Sequence, residues 1–443
     1  MDRTFIRDVK VGQKNKLQGY IENFRNKKSM AFIVLRDITG TFQVTVIKDE
    51  HPDLCAVCDE LRPDSFITVE GEVIENSYVK LNGMEMVAEK IEVESIADVL
   101  PFTRLEKQNG NVVKKGNIDE AEYDLRMNYR WIDLRSETNQ LMFKVQSYMV
   151  ACMRNFLLER DFIEIHSPKI TGAESESGAG VFAVDYFDRK GYLIQSPQFY
   201  KQMAMTSGLD RIFEVGPVFR AEKSHTSKHA TEFTCFDLEF SHINSVEDVM
   251  KMEEELLTDM LSKVAAKYND KLTEIFGTPI TVPTLPFPRI KLADLYKELE
   301  ERYGFTCPDE EKCDLTTEAE RLCAKFSKEK YGHEFLFVTD YGVQKRPFYH
   351  LRKDGIPQGY DLIWRGCEIT TGAQREHRYE ILKAQAEEKG LKKDVEFYLE
   401  FFRYGAPTHG GFGLGIDRMT MLLMNLSIKD AMFIFRDPDR LNP

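Results

Sequence analysis

Phe219-Arg220-Ala221-Glu222, then Lys223-Ser224-His225-Thr226-Ser227-Lys228-His229-Ala230, then Glu232-Phe233-Thr234-Cys235-Phe236-Asp237-Leu238-Glu239, reads as strand, polar loop and returning strand. The first strand ends on an arginine, whose planar fork grips two phosphate oxygens at once. Phe233 offers a stacking face for a base, and the returning strand adds two carboxylates. A charged surface hairpin is the plain alternative. Two further clusters sharpen the choice. Gly410-Gly411-Phe412-Gly413-Leu414-Gly415-Ile416-Asp417-Arg418 reads as a glycine-rich loop running into an apolar helix, Met419–Leu426. Glycines let a backbone approach a ligand closely, and a helix N-terminus favours anions. No strand–GxGxxG–helix unit is present, so this is no dinucleotide fingerprint, and a tight turn is the competing reading. In Gly366-Cys367-Glu368-Ile369-Thr370-Thr371-Gly372-Ala373-Gln374-Arg375, a carboxylate, a hydroxyl three residues on and then an arginine suit a hard cation and an anionic substrate. An edge-strand ion pair is the alternative there.

Outward from these clusters, residues 136–443 read as one large α+β domain. A helix from about Glu137 to Arg160 carries Leu141, Val145, Tyr148, Cys152 and Phe156 as one apolar stripe. A strand with Phe162, Ile163 and Ile165 follows and stops at Pro168; helices at 246–267, 291–303, 315–330 and 376–390 alternate with strands. Residues 98–135 are polar and turn-rich without apolar periodicity, which predicts a connector. Residues 1–97 read as β, with strands at Lys16–Glu22, Met30–Arg36, Thr41–Ile47, Phe66–Val73 and Met84–Val93 and one helix, Pro52–Leu61, between the third and fourth. Five strands so interrupted are the pattern of an OB-fold barrel, which commonly binds oligonucleotides.

The chain has 443 residues, 42% hydrophobic and 30% charged, with no apolar run near the about 18 residues of a membrane span. The N-terminus shows no apolar h-region, so the expected location is the cytoplasm. Eight cysteines form no disulfide framework. Cys55 and Cys58 make one CxxC without a second ligand pair, which points to a structural role rather than zinc. Net charge is −13, against a blanket nucleic-acid coat. Yet residues 1–30 hold eight basic groups and three acidic ones, a local excess of +5 that suits a polyanionic partner bound in one pose, or a solvated basic face.

Taken together, the clusters resemble the class II aminoacyl-tRNA synthetases, in the aspartyl, asparaginyl and lysyl subgroup. The helix and strand ending at Pro168 look like motif 1, which builds that family's dimer interface. Phe219-Arg220-Ala221-Glu222 with Glu232-Phe233 looks like motif 2, and Gly413-Leu414-Gly415-Ile416-Asp417-Arg418 like motif 3. The resemblance spans essentially the whole chain and is nearest to the compact archaeal-type aspartyl enzymes. It implies an OB-fold anticodon-binding barrel over 1–97, a connector over 98–135, and over 136–443 a catalytic domain built on an antiparallel sheet flanked by helices.

Gln195-Ser196-Pro197-Gln198-Phe199-Tyr200-Lys201-Gln202 resembles the aspartyl signature, in which Lys201 meets the substrate's side-chain carboxylate, with Arg375 as the second cation. A neutral asparagine amide would leave two cations unpaired and be rejected. Asparaginyl relatives do not keep the lysine, which makes that specificity the runner-up, and lysyl enzymes need acidic residues instead. The resemblance further implies that Arg220 holds the α-phosphate of ATP, Phe233 stacks on adenine and Arg418 holds the γ-phosphate. Glu222, Lys228, His229, Ala230, Gly415, Ile416 and Asp417 complete the nucleotide site. Glu368 would bind Mg²⁺ with Thr371 beside it, and Glu176, Gln198 and Asp237 would surround the α-amino group. Aspartyl-adenylate then forms and is passed to the tRNA terminal ribose, a chemistry of positioning and charge neutralisation that needs no protein nucleophile. A catalytically silent tRNA-binding paralogue would be expected to lack Arg220, Glu368 or Arg418, and all three are present. Thr371 stands where relatives have serine, Lys228 where they have arginine, and Gly180 where they have glutamate.

In the barrel, Phe32 and Gln43 match the family's anticodon-reading pair, with Arg25 near the anticodon backbone; a barrel-core position is the other reading of Phe32. Relatives that charge only tRNA-Asp carry tryptophan where this chain has Glu22, and those that also charge tRNA-Asn often carry histidine. Lys80 lies near a lysine of discriminating enzymes. The missing tryptophan tilts the expectation toward relaxed tRNA choice.

Overall fold

The computed structural model describes residues 2–104, 106–113, 122–172, 180–223, 228–391 and 395–442. The chain divides into two compact units, Met1–Thr103 and Arg104–Pro443.

In the first unit, β1 (Lys14–Asn26), β2 (Met30–Asp37), β3 (Gly40–Ile47), β4 (Phe66–Glu75) and β5 (Met84–Ser95) close a barrel in the order β1-β2-β3-β5-β4, with α1 (Leu54–Glu60) between β3 and β4. Alternation puts Leu17, Ile21, Ile33, Leu35, Val44 and Val46 inside. β1 runs longer than its periodicity predicts. It pairs with β4 through its first half and β2 through its second, and a bulge at Glu22 bends it between them. Cys58 packs into the barrel core, and burial pushes its thiol pKa up.

The second unit is built on an eight-stranded sheet. Its elements are α2 (Glu137–Leu158), β6 (Ile163–Glu164), α3 (Gln198–Thr206), β7 (Arg211–Phe219), β8 (Glu232–Ser241), α4 (Val246–Phe276), β9 (Arg289–Lys291), α5 (Leu292–Tyr303), α6 (Thr317–Tyr331), β10 (Phe335–Thr339), β11 (Gly359–Trp364), β12 (Cys367–Gln374), α7 (Tyr379–Glu388), β13 (His409–Gly415) and α8 (Ile416–Met424). The strand order is β9-β10-β11-β12-β13-β8-β7-β6, antiparallel except for the parallel pair at each edge. The α2 stripe packs with Leu256, Leu257 and Met260 of α4 and with Phe236, Phe412 and Leu414 of the sheet in one core. α4 outruns its expected end because Leu272, Ile275 and Phe276 continue the buried stripe to Gly277, whose positive φ of 68° caps the helix. Residues 122–135, which show no apolar periodicity, contain Arg130. Its guanidinium is buried and donates to the carbonyls of Asp430, Met432 and Phe433. Among the described residues no helix is long and apolar enough to cross a membrane.

One sequence expectation is corrected here. Residues 410–415 are not a loop but lie in the central strand β13, between β12 and β8. Glycine is needed for close approach rather than for a turn: a Cβ on Gly411 would sit 2.1 Å from the Leu238 carbonyl oxygen. Gly411→Ala is therefore expected to destabilise the second unit by about 1–3 kcal/mol, read as a lowered thermal midpoint; an unchanged midpoint would contradict this packing.

Candidate active site

Antiparallel register lays Asp361, Thr371, Gly413 and Asp237 side by side in one row across β11, β12, β13 and β8. Gly413 leaves the middle of that row without a side chain, and a Cβ there would stand 2.8 Å from Asp237 Oδ1. Over it opens a cavity of about 370 Å³. Short side chains between long charged ones are what a sheet needs to make a floor with two polar ends.

One end is a buried charge array. Lys201, projected from α3 and 1% exposed, donates to Asp237 Oδ1 at 2.9 Å and lies 3.5 Å from Glu239 Oε2. Arg375, just beyond β12, donates through Nε to Glu239 Oε1 at 2.9 Å and through Nη2 to the Gly411 carbonyl at 2.9 Å. Its Nη1 lies 3.4 Å from His350 Nε2. Burial alone would raise the Glu239 pKa, but Arg375 and Lys201 outweigh it and hold the carboxyl below its ordinary range. Burial and Arg375 together keep His350 well below its usual pKa. Two cations face two carboxylates, so the array is neutral as it stands. Among the described residues the buried Asp237 Oδ2 has no hydrogen-bond partner, an open acceptor on a residue that lines a cavity also presenting cations. Gln198, at the same end, donates to Gln202, which the Tyr398 hydroxyl and His409 hold in turn.

The other end gathers two arginines and two carboxylates. Arg220 leaves β7 with its guanidinium 5.2 Å from the Phe233 ring and makes no ion pair among the described residues. Arg418, in the first turn of α8, donates to the Glu368 carbonyl at 2.8 Å and lies 3.7 Å from its carboxylate. The Thr371 hydroxyl donates to Asp361 Oδ1 at 2.8 Å and reaches Glu368 Oε1 at 3.2 Å. Burial and the neighbouring Asp361 raise the Glu368 pKa, which a bound cation would reverse. Among the described residues no three acidic, histidine or cysteine side chains group as a metal cluster. Two carboxylates and a hydroxyl fit Mg²⁺, which takes one or two carboxylates and completes its shell with water and phosphate.

Of the residues singled out from sequence, Gln198, Lys201, Arg220, Glu222, Lys228, His229, Ala230, Phe233, Asp237, Glu368, Thr371, Arg375, Gly415, Asp417 and Arg418 all line this cavity. Glu176 lies outside the described residues. Ile416 is corrected: it is 2% exposed and packs in the core below the sheet, so it holds α8 in place rather than facing the cavity. Asp417 spends its carboxylate inwardly, accepting from the Thr234 N–H at 2.9 Å and from Gln146 at 3.3 Å, and burial pushes its pKa up to about 6. Sequence reasoning missed Asp361, Arg346, which forks onto Asp361 at 2.9 and 2.6 Å, and His350. Asp361 had a signal: it is the lone carboxylate in the apolar run Gly359–Trp364.

In the first unit, Arg25, Phe32 and Thr45 are cross-strand neighbours. Phe32 is half-buried and stands apart from the barrel core, while Gln43, one face with it, donates to Glu85 at 2.8 Å. Glu85 also accepts from Asn76 at 2.6 Å, at the start of the loop that carries the exposed Lys80. Glu22 is paired with Arg36 at 2.7 Å. The result is an outer face with one aromatic, one amide and exposed cations, the composition of a single-strand binding platform.

Comparison with known proteins matches both units. Residues 122–436 fit the family model of class II tRNA synthetases (D, K and N), and residues 16–94 that of the OB-fold nucleic acid binding domain. The aspartate–tRNA(Asp/Asn) ligase of Aeropyrum pernix is 37% identical over 98% of this chain and 96% of its own length. The aspartate–tRNA(Asp) ligase of Pyrococcus abyssi is 37% identical over 98% of this chain and 97% of its own. Among solved structures, asparaginyl-tRNA synthetase from Pyrococcus horikoshii with asparaginyl-adenylate superposes with a TM-score of 0.88 at 28% identity, covering 100% of both chains. Aspartyl tRNA synthetase from Entamoeba histolytica gives 0.85 at 29% identity, covering 100% of this chain and 93% of that one. With a family model over 122–436 and full-length relatives at 37% identity, the chain belongs to the class II tRNA synthetases of the D, K and N group.

Proposed function

We propose that the protein joins L-aspartate to tRNA with ATP, through aspartyl-adenylate. The observation that carries this reading is the Lys201–Asp237 pair with its open acceptor, Asp237 Oδ2. The pair is a stand-in for the substrate's own charges. An entering aspartate gives its α-ammonium to Asp237 and its side-chain carboxylate to Lys201 and Arg375, so every buried charge keeps a partner. Asparagine exchanges only half of the pair and leaves a buried cation unmatched, which disfavours the asparaginyl reading. With the amino acid so held, Phe233 offers a face for adenine, and Arg220, which pairs with no carboxylate among the described residues, serves the α-phosphate. Arg418 serves the far phosphate. Glu368 and Thr371, with the Arg346-paired Asp361 beside them, would hold Mg²⁺, which would supply charge neutralisation of the polyphosphate.

On this reading the barrel face of Phe32, Gln43 and Arg25 receives the anticodon, Glu22 and Lys80 flank it, and the protein works in the cytoplasm. Leu158, Ile163 and Ile170 stay exposed around the end of α2 and β6, which supports a homodimer through that surface. For the choice of tRNA we favour charging of both tRNA-Asp and tRNA-Asn, since Glu22 is tied to Arg36 rather than presenting a tryptophan to the third anticodon base. Labelled-aspartate charging of the two purified transcripts side by side tests both levels. Both charged is the expected result. Charging of tRNA-Asp alone would reverse the tRNA choice, and charging of neither would sink the aspartate assignment.

A further inference from the structure

Glu320 sits in the first turn of α6, on a helix that belongs to a separate small core with α5 and β10, and it was no part of the motifs. It is 7% exposed and does not line the cavity. Its two carboxylate oxygens are nevertheless both spent on groups that do. Oε2 takes the ammonium of Lys228, and Oε1 accepts the backbone N–H of Glu368 at 2.6 Å. That second bond falls beside a slip in the β11–β12 register, so a side chain takes up a strand N–H where the ladder is irregular. The carbonyl of the same residue, Glu368, is the one that receives Arg418 at 2.8 Å. One buried carboxylate therefore fixes the lysine and the peptide that bears the metal-binding carboxylate and anchors Arg418.

We propose that Glu320 is a positioning residue for the phosphate end of the cavity, holding Lys228 against the wall so that its remaining N–H groups meet the polyphosphate of ATP. This rests on the function proposed above. A lysine has three donors, so Lys228 serves phosphate without leaving Glu320. Free of Glu320, its flexible stem would have to be ordered by the nucleotide itself, and affinity would fall.

Glu320→Gln keeps a carbonyl for the Glu368 N–H and removes the charge that holds Lys228. In aspartate-dependent ATP–pyrophosphate exchange with the full chain, KM for ATP is expected to rise about tenfold, the loss of one charge-assisted hydrogen bond, while KM for aspartate stays put. Glu320→Gln combined with Lys228→Met is expected to be no worse than Lys228→Met alone. An unchanged KM for ATP, additive losses in the double variant, or a fall in kcat that merely tracks a lowered thermal midpoint would each overturn the proposal. Calorimetric ATP binding needs no turnover and reads the same tenfold loss; equal affinities there also overturn it. A native chain that binds ATP but shows no aspartate-dependent exchange would instead fault the proposed function. If Glu320→Gln does not fold, Lys228→Met carries the test: an unaltered ATP affinity in that variant removes the reason for positioning the lysine.

Discussion

Lys201→Met is expected to lower kcat/KM for aspartate in ATP–pyrophosphate exchange by about a hundredfold to a thousandfold, with ATP binding nearly unchanged. Methionine matches the stem of lysine in length, so the change removes charge more than volume. Lys201 is 1% exposed and stands against Asp237 and Glu239. Truncating one partner of a buried charge pair costs about 2–5 kcal/mol, and each 1.4 kcal/mol is tenfold. The substrate carboxylate loses its cation, a loss expected to outweigh the opposite effect at Asp237, whose carboxylate no longer has to exchange Lys201 for the entering α-ammonium. The same variant is expected to lose its preference for aspartate over asparagine, because the array no longer contains the charge that asparagine cannot match. Measuring exchange with both amino acids checks this. Retained preference would place the discrimination on Arg375 alone.

The parts of the molecule that were legible from sequence share a physical cause. Each barrel strand alternates sides, so Leu17, Ile33 and Val44 announce an inner face, and Phe32 on the other phase reads as available for binding. The α2 stripe is equally plain, because one face of a helix repeats every three or four residues. The β13 strand was illegible for the opposite reason. Glycine weakens a strand in isolation, so a run with four glycines reads as a loop, and only its neighbours' close approach explains why it is extended.

The site divides along the same line. Arg220, Glu368 and Arg418 sit in local motifs that a linear reading can catch. Glu239, Asp361 and Glu320 act across strands or from another helix, at separations of 136 residues to Arg375, 15 to Arg346 and 92 to Lys228. Nothing local marks which carboxylate a buried cation will take. Arg375 illustrates the consequence: read alone it is a free fork for the substrate, whereas in the fold two of its nitrogens are already committed and only Nη1 faces away from Glu239 and Gly411. On the proposed reading Arg375 therefore offers the aspartate side chain its Nη1 and its charge, while Lys201 offers the ammonium.

Arg220→Ala is expected to lower kcat for adenylate formation by about a hundredfold to a thousandfold, the range seen when one donor to a developing oxyanion is removed. Unlike Lys201 and Arg375, Arg220 is not spent on any carboxylate among the described residues, and its guanidinium is held near the Phe233 ring at the mouth of the cavity. A guanidinium that no described carboxylate takes, beside a stacking ring, can turn its fork to charge that gathers on the α-phosphate. Because that charge grows toward the transition state, the loss is expected in kcat more than in KM for ATP. Arg220→Lys is expected to recover little, since an ammonium keeps the charge but not the two-pronged geometry or the planar face toward Phe233. Steady-state exchange with ATP varied at saturating aspartate separates the cases. A rise in KM alone would make Arg220 a ground-state anchor for the nucleotide, and full rescue by lysine would mean that charge without orientation is enough at the α-phosphate.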